Sequence, residues 1–584
     1  MARLFHPRCP LGSIASALLL CVLCVIARPT CGQNPQPESK SADSIHGTVI
    51  NSVTHEPIGR ALVYSPDNRL AAMTDSEGHF EFTLARSDNN DNTSDGSSSA
   101  NKLWYRRANI FGLMARKPGF IEGRVTPTVQ PEAGGKEVVL SLTPESLVIG
   151  RVVLSNAEAS DPIQLELYRR QVLEGRAHWV LAGSTSTKSN GEFRFAELPA
   201  GSYKLLTREL MDRDPLASDP KSQIYGYPPV YFPNATDFAG GQAIQLAAGQ
   251  VFQADISLVR HAYYPVKVAV ANSASAPAIS IVVSVQGHRG PGYALGYNHR
   301  EQMIEGLLPN GNYTLEASSF GPNGASGVLN ISVKSAPVEG VRMTLVPNGS
   351  IGVNIKEEFT STEDTSGPPA FAVDGRRIAV HGPARYLILH IDSGEDFGQE
   401  RSAWMRTRSD QEDSFAIEGV QPGRYWVHTN SSRGFVASIT AGTTDLRHQP
   451  LVVGVGGSSS PIEVTMRDAG GDVDGTIDGV VTPLNETAGV AGSSDNSPHV
   501  YFVPPPDSSG EFRDVWVSGE GKFGPQQLPP GTYLALAFDR PQPELEYDNP
   551  ETMRAYEERG QLIRVTAGQK EHLHLQLIST NEKP

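Results

Sequence analysis

Four aromatic residues in one proline-bearing stretch, Tyr225, Tyr227, Tyr231 and Phe232, are the side chains of this 584-residue chain best placed to hold a ligand. The stretch reads IYGYPPVYFPNATDF, and Pro228, Pro229 and Pro233 exclude a regular central strand, which puts the rings on an ordered loop. Rings on a stiffened loop lose little entropy when a ligand orders them. The competing reading is a lid, because aromatic side chains bury much of their surface. Two acidic groupings suggest calcium at a glance: Asp88, Asp91 and Asp95, and Asp472 and Asp474 with Asp478. Neither has the glycine and glutamate spacing of a calcium loop, so the first reads as a polar loop and the second as a solvated linker. Metalloprotease, nucleophile-elbow and phosphate-loop motifs are lacking, and the 15 histidines are scattered. The chemistry on offer is binding; the reading is no enzyme, no cofactor and no metal.

The elements that must position these residues are strands. The stretch NGEFRFAELPAGSY, 190–203, returns as MIEGLLPNGNY, SFAIEGVQPGRY and GKFGPQQLPPGTY, whose last residues are Tyr313, Tyr425 and Tyr533. The four tyrosines lie 110, 112 and 108 residues apart, a domain-sized interval. Asn190-Gly191 suits a tight turn, and Phe193 and Phe195 alternate with Glu192 and Arg194, so both rings leave one face of a strand. Pro199 and Gly201 then turn the chain into a second alternation from Tyr203. Trp179, Trp404 and Trp516 precede Phe193, Phe415 and Phe523 by 14, 11 and 7 residues. They share one strand position and read as core. With 57 glycines, 43 prolines and little helical periodicity, the class is all-β, a tandem array of five small antiparallel sandwiches.

The segment 45–82 resembles the carboxypeptidase regulatory-like domain, a transthyretin-like β-sandwich. The matching residues are Gly47 and Val49, Glu56-Pro57-Ile58 before Ala61 and Val63, and Thr74-Asp75 with Gly78 and Phe80. Later copies match through the first-strand glycine and the Phe, Leu-Pro, Gly and Tyr positions. The resemblance implies a non-catalytic module related to carbohydrate-binding-like folds, and it implies no peptidase, because five sandwiches leave no room for one.

Residues 1–32 have the basic leader and short apolar run of a secretory signal peptide, with cleavage after Ala27 or after Gly32. All four cysteines, Cys9, Cys21, Cys24 and Cys31, fall there. A flexible lead-in, 33–44, precedes sandwiches at 45–145, 146–261, 262–347, 348–470 and 471–580. The first carries a polar loop at 86–102 and the second the aromatic insertion at 211–242. The fifth carries a helix at 549–560, capped by Asn549, begun by Pro550 and stopped by Gly560. The helix and the aromatic insertion occupy equivalent places, each before a related ending, Ile244-Gln245-Leu246 and Ile563-Arg564-Val565.

With 49 basic against 64 acidic residues the chain has a net charge of −15, which argues against nucleic acid and against polybasic membrane attachment. The mature chain contains no apolar run long enough to span a bilayer. The sequence therefore describes an exported protein, periplasmic or secreted, of a bacterial envelope. Its function reads as carbohydrate binding, with a polysaccharide or an envelope protein as partner; a structural spacer or protein-interaction arm is the alternative. A first prediction follows from the cysteine placement and the lack of metal-spaced ligands: the mature protein should show the same calorimetric midpoint untreated, with reductant and with chelator. A fall of many degrees with chelator would reveal a structural metal.

Overall fold

The structure is a computed structural model that describes residues 44–66, 70–83, 113–121, 137–155, 162–212, 223–272, 278–285, 287–319, 324–360, 370–373, 376–379, 386–394, 397, 401–407, 415–479, 498–518 and 520–579. The signal peptide, the lead-in with all four cysteines, and the loop 86–102 lie outside the described residues.

Five hydrophobic cores follow one another along the chain, and each is wrapped by strands on one plan. The opening strand of each sandwich lies between two partners. In the second, Ser146–Leu154 pairs antiparallel with Glu192–Leu198 and parallel with Val251–Gln253 and Ile256–Leu258. The same antiparallel and parallel pairings flank Ser44–Asn51, His261–Ala271, Gly349–Glu358 and Gly471–Asp478. Antiparallel ladders thus build most of the pairing, and parallel ladders join the first strand to the last strands of each sandwich. The tyrosine strands Gly201–Thr207, Gly311–Ser318, Gly423–Ser431 and Gly531–Phe538 sit centrally in the facing sheets.

Two close contacts explain why the repeat keeps its glycine, phenylalanine and tyrosine. Gly47, Gly150 and Gly475 pair directly with Phe80, Phe193 and Phe523. A Cβ on these glycines would lie 2.1, 1.9 and 2.4 Å from the carbonyl oxygens of Val138, Ala254 and Leu573. It would also lie 2.6, 2.8 and 2.8 Å from the tips of the three rings, so no other residue fits. The repeat tyrosines, buried at 0–3% exposure, each donate a hydroxyl hydrogen bond to the carbonyl four residues upstream. Those carbonyls belong to Pro199, Pro309, Gln421 and Pro529, at 2.6, 3.0, 2.9 and 2.7 Å. The bond ties the strand to the turn that leads into it, as in the tyrosine corners of other sandwiches.

The helix of the fifth sandwich is shorter than 549–560. It spans Pro550–Arg554, with the Asn549 side chain accepting from the amides of Glu551 and Thr552. Beyond it the bonding tightens to i→i+3, with the Ala555, Tyr556 and Glu557 amides donating to Thr552, Met553 and Arg554, and the chain continues as turns to Gly560. Packing of Tyr556 against Phe538 holds this tightened segment on the sheet.

The insertions couple the sandwiches. In the second, Leu210–Asp212 pairs with Ile224–Tyr227, which pairs in turn with His261–Ala271, so the insertion extends the sheet of the third. Tyr225 and Tyr227 therefore lie on a strand, where the prolines had predicted a loop; Pro228 and Pro229 begin just after it ends. In the fifth, the segment before the helix docks on the hairpin formed by Gln164–Leu173 and Arg176–Ser186 of the second. Arg169 pairs with Glu544 at 3.2 Å, Arg170 with Glu546 in a two-pronged contact, and Arg176 with Asp548 at 2.9 Å. At the hairpin tip Gly175 has φ +76°, and a Cβ there would lie 2.5 Å from the Tyr547 ring.

The tyrosine hydroxyl gives the second prediction. Tyr533 donates to Pro529 and accepts from the Glu511 amide at 3.3 Å. Tyr533→Phe should lower stability by about 1–3 kcal/mol in denaturant titration, because it orphans a buried carbonyl without removing the ring. An unchanged unfolding midpoint would mean that the corner contributes nothing.

Candidate functional site

The four aromatic residues singled out from sequence do not share an exposed face. Tyr227 and Tyr231 are buried at 3% exposure each. Tyr227 belongs to the core of the second sandwich, and Tyr231 packs edge-on against Phe238 at 6.1 Å. The Tyr231 hydroxyl donates to the Pro291 carbonyl of the third sandwich. Phe232 is half-buried against Phe252, with ring centres 5.9 Å apart. Tyr225 is half-buried, and the Arg260 guanidinium lies 4.1 Å from its ring centre. The arrangement is that of a lid and an interdomain joint. Phe238 extends it, contacting Tyr168, Trp179 and, from the fourth sandwich, Phe397, at 5.5, 6.0 and 4.5 Å.

The tryptophans do share a strand position. Trp179, Trp404 and Trp516 pair across the ladder with Arg170, His390 and His499 on the neighbouring strand. They are not core residues, however. Each points outward from its sheet; Trp404 is 50% and Trp516 52% exposed, while Trp179 is partly covered by Phe238 and Lys204.

Trp404 opens onto a cleft of about 1110 Å³ where the second, fourth and fifth sandwiches meet. Three planar side chains cross three adjacent strands of the fourth sandwich in register, Trp404 on Ser402–Thr407, His390 on Leu387–Ser393 and His428 on Gly423–Ser431. Their rings stack, at 4.4 Å and 26° and then at 5.1 Å and 22°. Beside them Arg176 from the hairpin of the second sandwich lies 3.4 Å from the Trp426 ring centre. The fifth sandwich contributes Phe512 and Tyr547, stacked at 3.6 Å and 8°, and the rigid run Pro504–Pro506. Polar groups of both signs stand among these flat faces: Glu174, Asn430, Arg447, Asp548, Arg554 and Glu557.

Burial, with His390 alongside, pushes the His428 imidazole down to about 4; Asp392, 3.8 Å away, opposes the shift, and Arg176 and His178 reinforce it. Glu174 approaches the other ring nitrogen at 3.8 Å. Among the described residues the cleft lining contains no serine, cysteine or lysine. Among the described residues no group of three His, Cys, Asp or Glu side chains is set to hold a metal ion. What the cleft offers is flat apolar surface edged by hydrogen-bonding groups.

Sequence reasoning marked Trp404 but passed over His390, His428, Trp426 and Arg176. A signal was present in Tyr425-Trp426-Val427-His428. Once Tyr425 is inward, alternation sends Trp426 and His428 outward. The partners of that row come from elsewhere in the chain and have no local signature.

No family model matches the chain, and no curated protein matches it. Among solved structures it is similar to the Bacillus anthracis TIE protein, at 11% identity over 74% of each chain with a TM-score of 0.15. It is also similar to the Streptococcal ancillary pilin, at 10% identity over 55% of this chain and 99% of that one, TM-score 0.17. A shaft pilin from Lactobacillus rhamnosus GG matches at 10% identity over 35% of this chain and 98% of its own, TM-score 0.12. Similarities this distant carry no argument about activity, and the all-β class rests on the strands and cores described above.

A third prediction concerns pH. Between pH 6.5 and about 4 an unfolded histidine takes up a proton that native His428 refuses, so its contribution to stability is complete above pH 6.5 and is lost as pH falls towards 4. The thermal midpoint should fall over that interval, and His428→Gln should flatten the fall. Identical pH profiles for the two proteins would remove His428 as the cause.

Proposed function

We propose that the chain is an exported, non-enzymatic β-sandwich protein of the bacterial envelope, periplasmic or secreted, that binds carbohydrate. The observation that supports carbohydrate is the half-exposed Trp404 ring at the mouth of an aromatic cleft. Flat rings offer sugars an apolar face, and a concave, mostly preformed site edged by a few polar groups is the usual form of a small-ligand pocket. The resemblance of 45–82 to a regulatory-like, transthyretin-like module belongs to the same reading, and its Gly47 and Phe80 are the pair that meet in the first sheet. Among the described residues no helix is long and apolar enough to cross a membrane.

The coupling of the sandwiches favours a second reading, a structural spacer or protein-interaction arm that holds a fixed shape. The charged contacts to the hairpin of the second sandwich, the shared sheet of the second and third, and Phe397 seated on Phe238 are what a stiff spacer requires.

The fourth prediction separates the two readings. Mature protein on an array of envelope and plant polysaccharides should be retained by at least one class at micromolar concentration. Retention by none, with intact melting behaviour, would favour the arm.

A further inference from the structure

We infer that the carbohydrate site is the three-sandwich cleft itself, and that it takes a neutral oligosaccharide whose ring face lies on Trp404. This rests on the carbohydrate reading above and goes beyond it by choosing one surface and one ligand class.

Two exposed tryptophans compete for the role, on equivalent strands. Trp516 has the same exposure as Trp404 but does not line the cleft. Trp404 is backed by a stacked column, His390 and then His428, which fixes its plane from behind, and it stands beside the second flat surface of Trp426 under Arg176. A ring held in one orientation before the ligand arrives loses less freedom on binding. Trp404 is therefore the platform.

The polar groups identify the ligand. A proline-rich peptide also suits aromatic grooves, but it brings carbonyl acceptors and almost no donors. It would leave the carboxylate of Glu557 without a donor when the cleft is desolvated, an unfavourable outcome for a charged acceptor, whereas Glu174 already takes a hydrogen bond from Tyr547 and faces His428. A sugar hydroxyl donates and accepts at once, and so satisfies Glu557 together with Arg554 and Asn430. Cationic and anionic groups are both present in the lining, with Arg176 matched to Asp548 and Arg513 to Glu511, so no net field selects a charged chain. A neutral oligosaccharide fits this balance.

The hairpin of the second sandwich and the insertion of the fifth meet at Gly175 and Tyr547 to form part of the wall. The site thus exists only when the three sandwiches are docked, and a bound ligand stabilises that docking by mass action.

The test uses the full mature chain and four probes, cellohexaose, chitohexaose, maltohexaose and xylohexaose, with decaproline as the competing ligand. Tryptophan fluorescence and calorimetry should report binding of at least one hexasaccharide and a raised thermal midpoint. Trp404→Ala should weaken that binding by about tenfold or more while keeping the ligand-free midpoint, as expected for a central aromatic anchor. Trp516→Ala should leave it unchanged. If a hexasaccharide binds but responds to Trp516→Ala and not to Trp404→Ala, the cleft assignment is wrong and the carbohydrate reading stands. If decaproline binds in a Trp404-dependent way and no hexasaccharide does, the ligand class is wrong. Absence of any sugar binding, here and on the array, overturns both.

Discussion

The first, second and fifth sandwiches are organised around a place where three strands crowd together over a residue without a side chain. At Gly150 the ring of Phe193 comes in from one neighbouring strand and the carbonyl of Ala254 from the other, and the space a Cβ would need is already taken by both. Gly47 and Gly475 repeat the arrangement with Phe80 and Phe523. In these three sandwiches the crowding carbonyl belongs to the returning chain near the end of the domain, so the glycine lets the last strand approach the first; the third and fourth make the same parallel pairing without it. Because the first and last strands run parallel, a domain ends at the far end of its opening strand, with Leu142 beside Asn51 and away from Ser44, and the next sandwich begins from there within a few residues: Leu142 ends one and Ser146 opens the next. The near-constant interval between repeat tyrosines is a consequence.

With the strand frame fixed in this way, variation is confined to the loops, and those loops decide how the sandwiches associate. The insertion of the second domain lends strands to the third and a ring cluster to the fourth. The insertion of the fifth reaches back across the chain to the second, with its arginine contacts 375 and 376 residues apart in sequence. Charged pairs at such a joint are partly exposed and each contributes little alone. Their role is registration, with the apolar contact of Tyr547 on the hairpin tip supplying adhesion. The array is therefore coupled through side chains that no single domain needs for its own stability, and the cleft is a product of that coupling.

This division explains what could be read from the sequence. The Phe alternation, the Leu-Pro-Gly-Tyr turn and, in the first two sandwiches, the first-strand glycine are local consequences of how one sandwich closes, so they were visible as a repeat. The Asn549 cap was visible for the same reason, although the helix ends sooner because Tyr556 turns to pack on Phe538. The aromatic insertion was misjudged in part because Pro228 and Pro229 exclude a strand only at their own positions, and the segment before them was free to join a neighbour's sheet. The tryptophans were assigned inward because nothing in their spacing reveals which sheet face is solvated. His390 and His428 became neighbours through ladder register, which a single sequence does not display.

The two joints of the array respond to protons in opposite directions. Where the second sandwich meets the third, Glu209 accepts a hydrogen bond from the Ala294 amide at 2.9 Å while its other oxygen is buried without a partner, and burial pushes its carboxyl up to about 7. Its native pKa lies above that of an unfolded glutamate, so its stabilisation is complete below about pH 4.5 and is lost as pH rises through 7. Arg208 is the cation facing it, already paired with Glu166, and Tyr263 adds no charge in this range. At the cleft, His428 stabilises above pH 6.5 and weakens towards 4. Acidification therefore adds to folding stability at Glu209 and subtracts from it at His428. Near neutral pH the His428 contribution is complete and the ring column behind Trp404 is uncharged at that position.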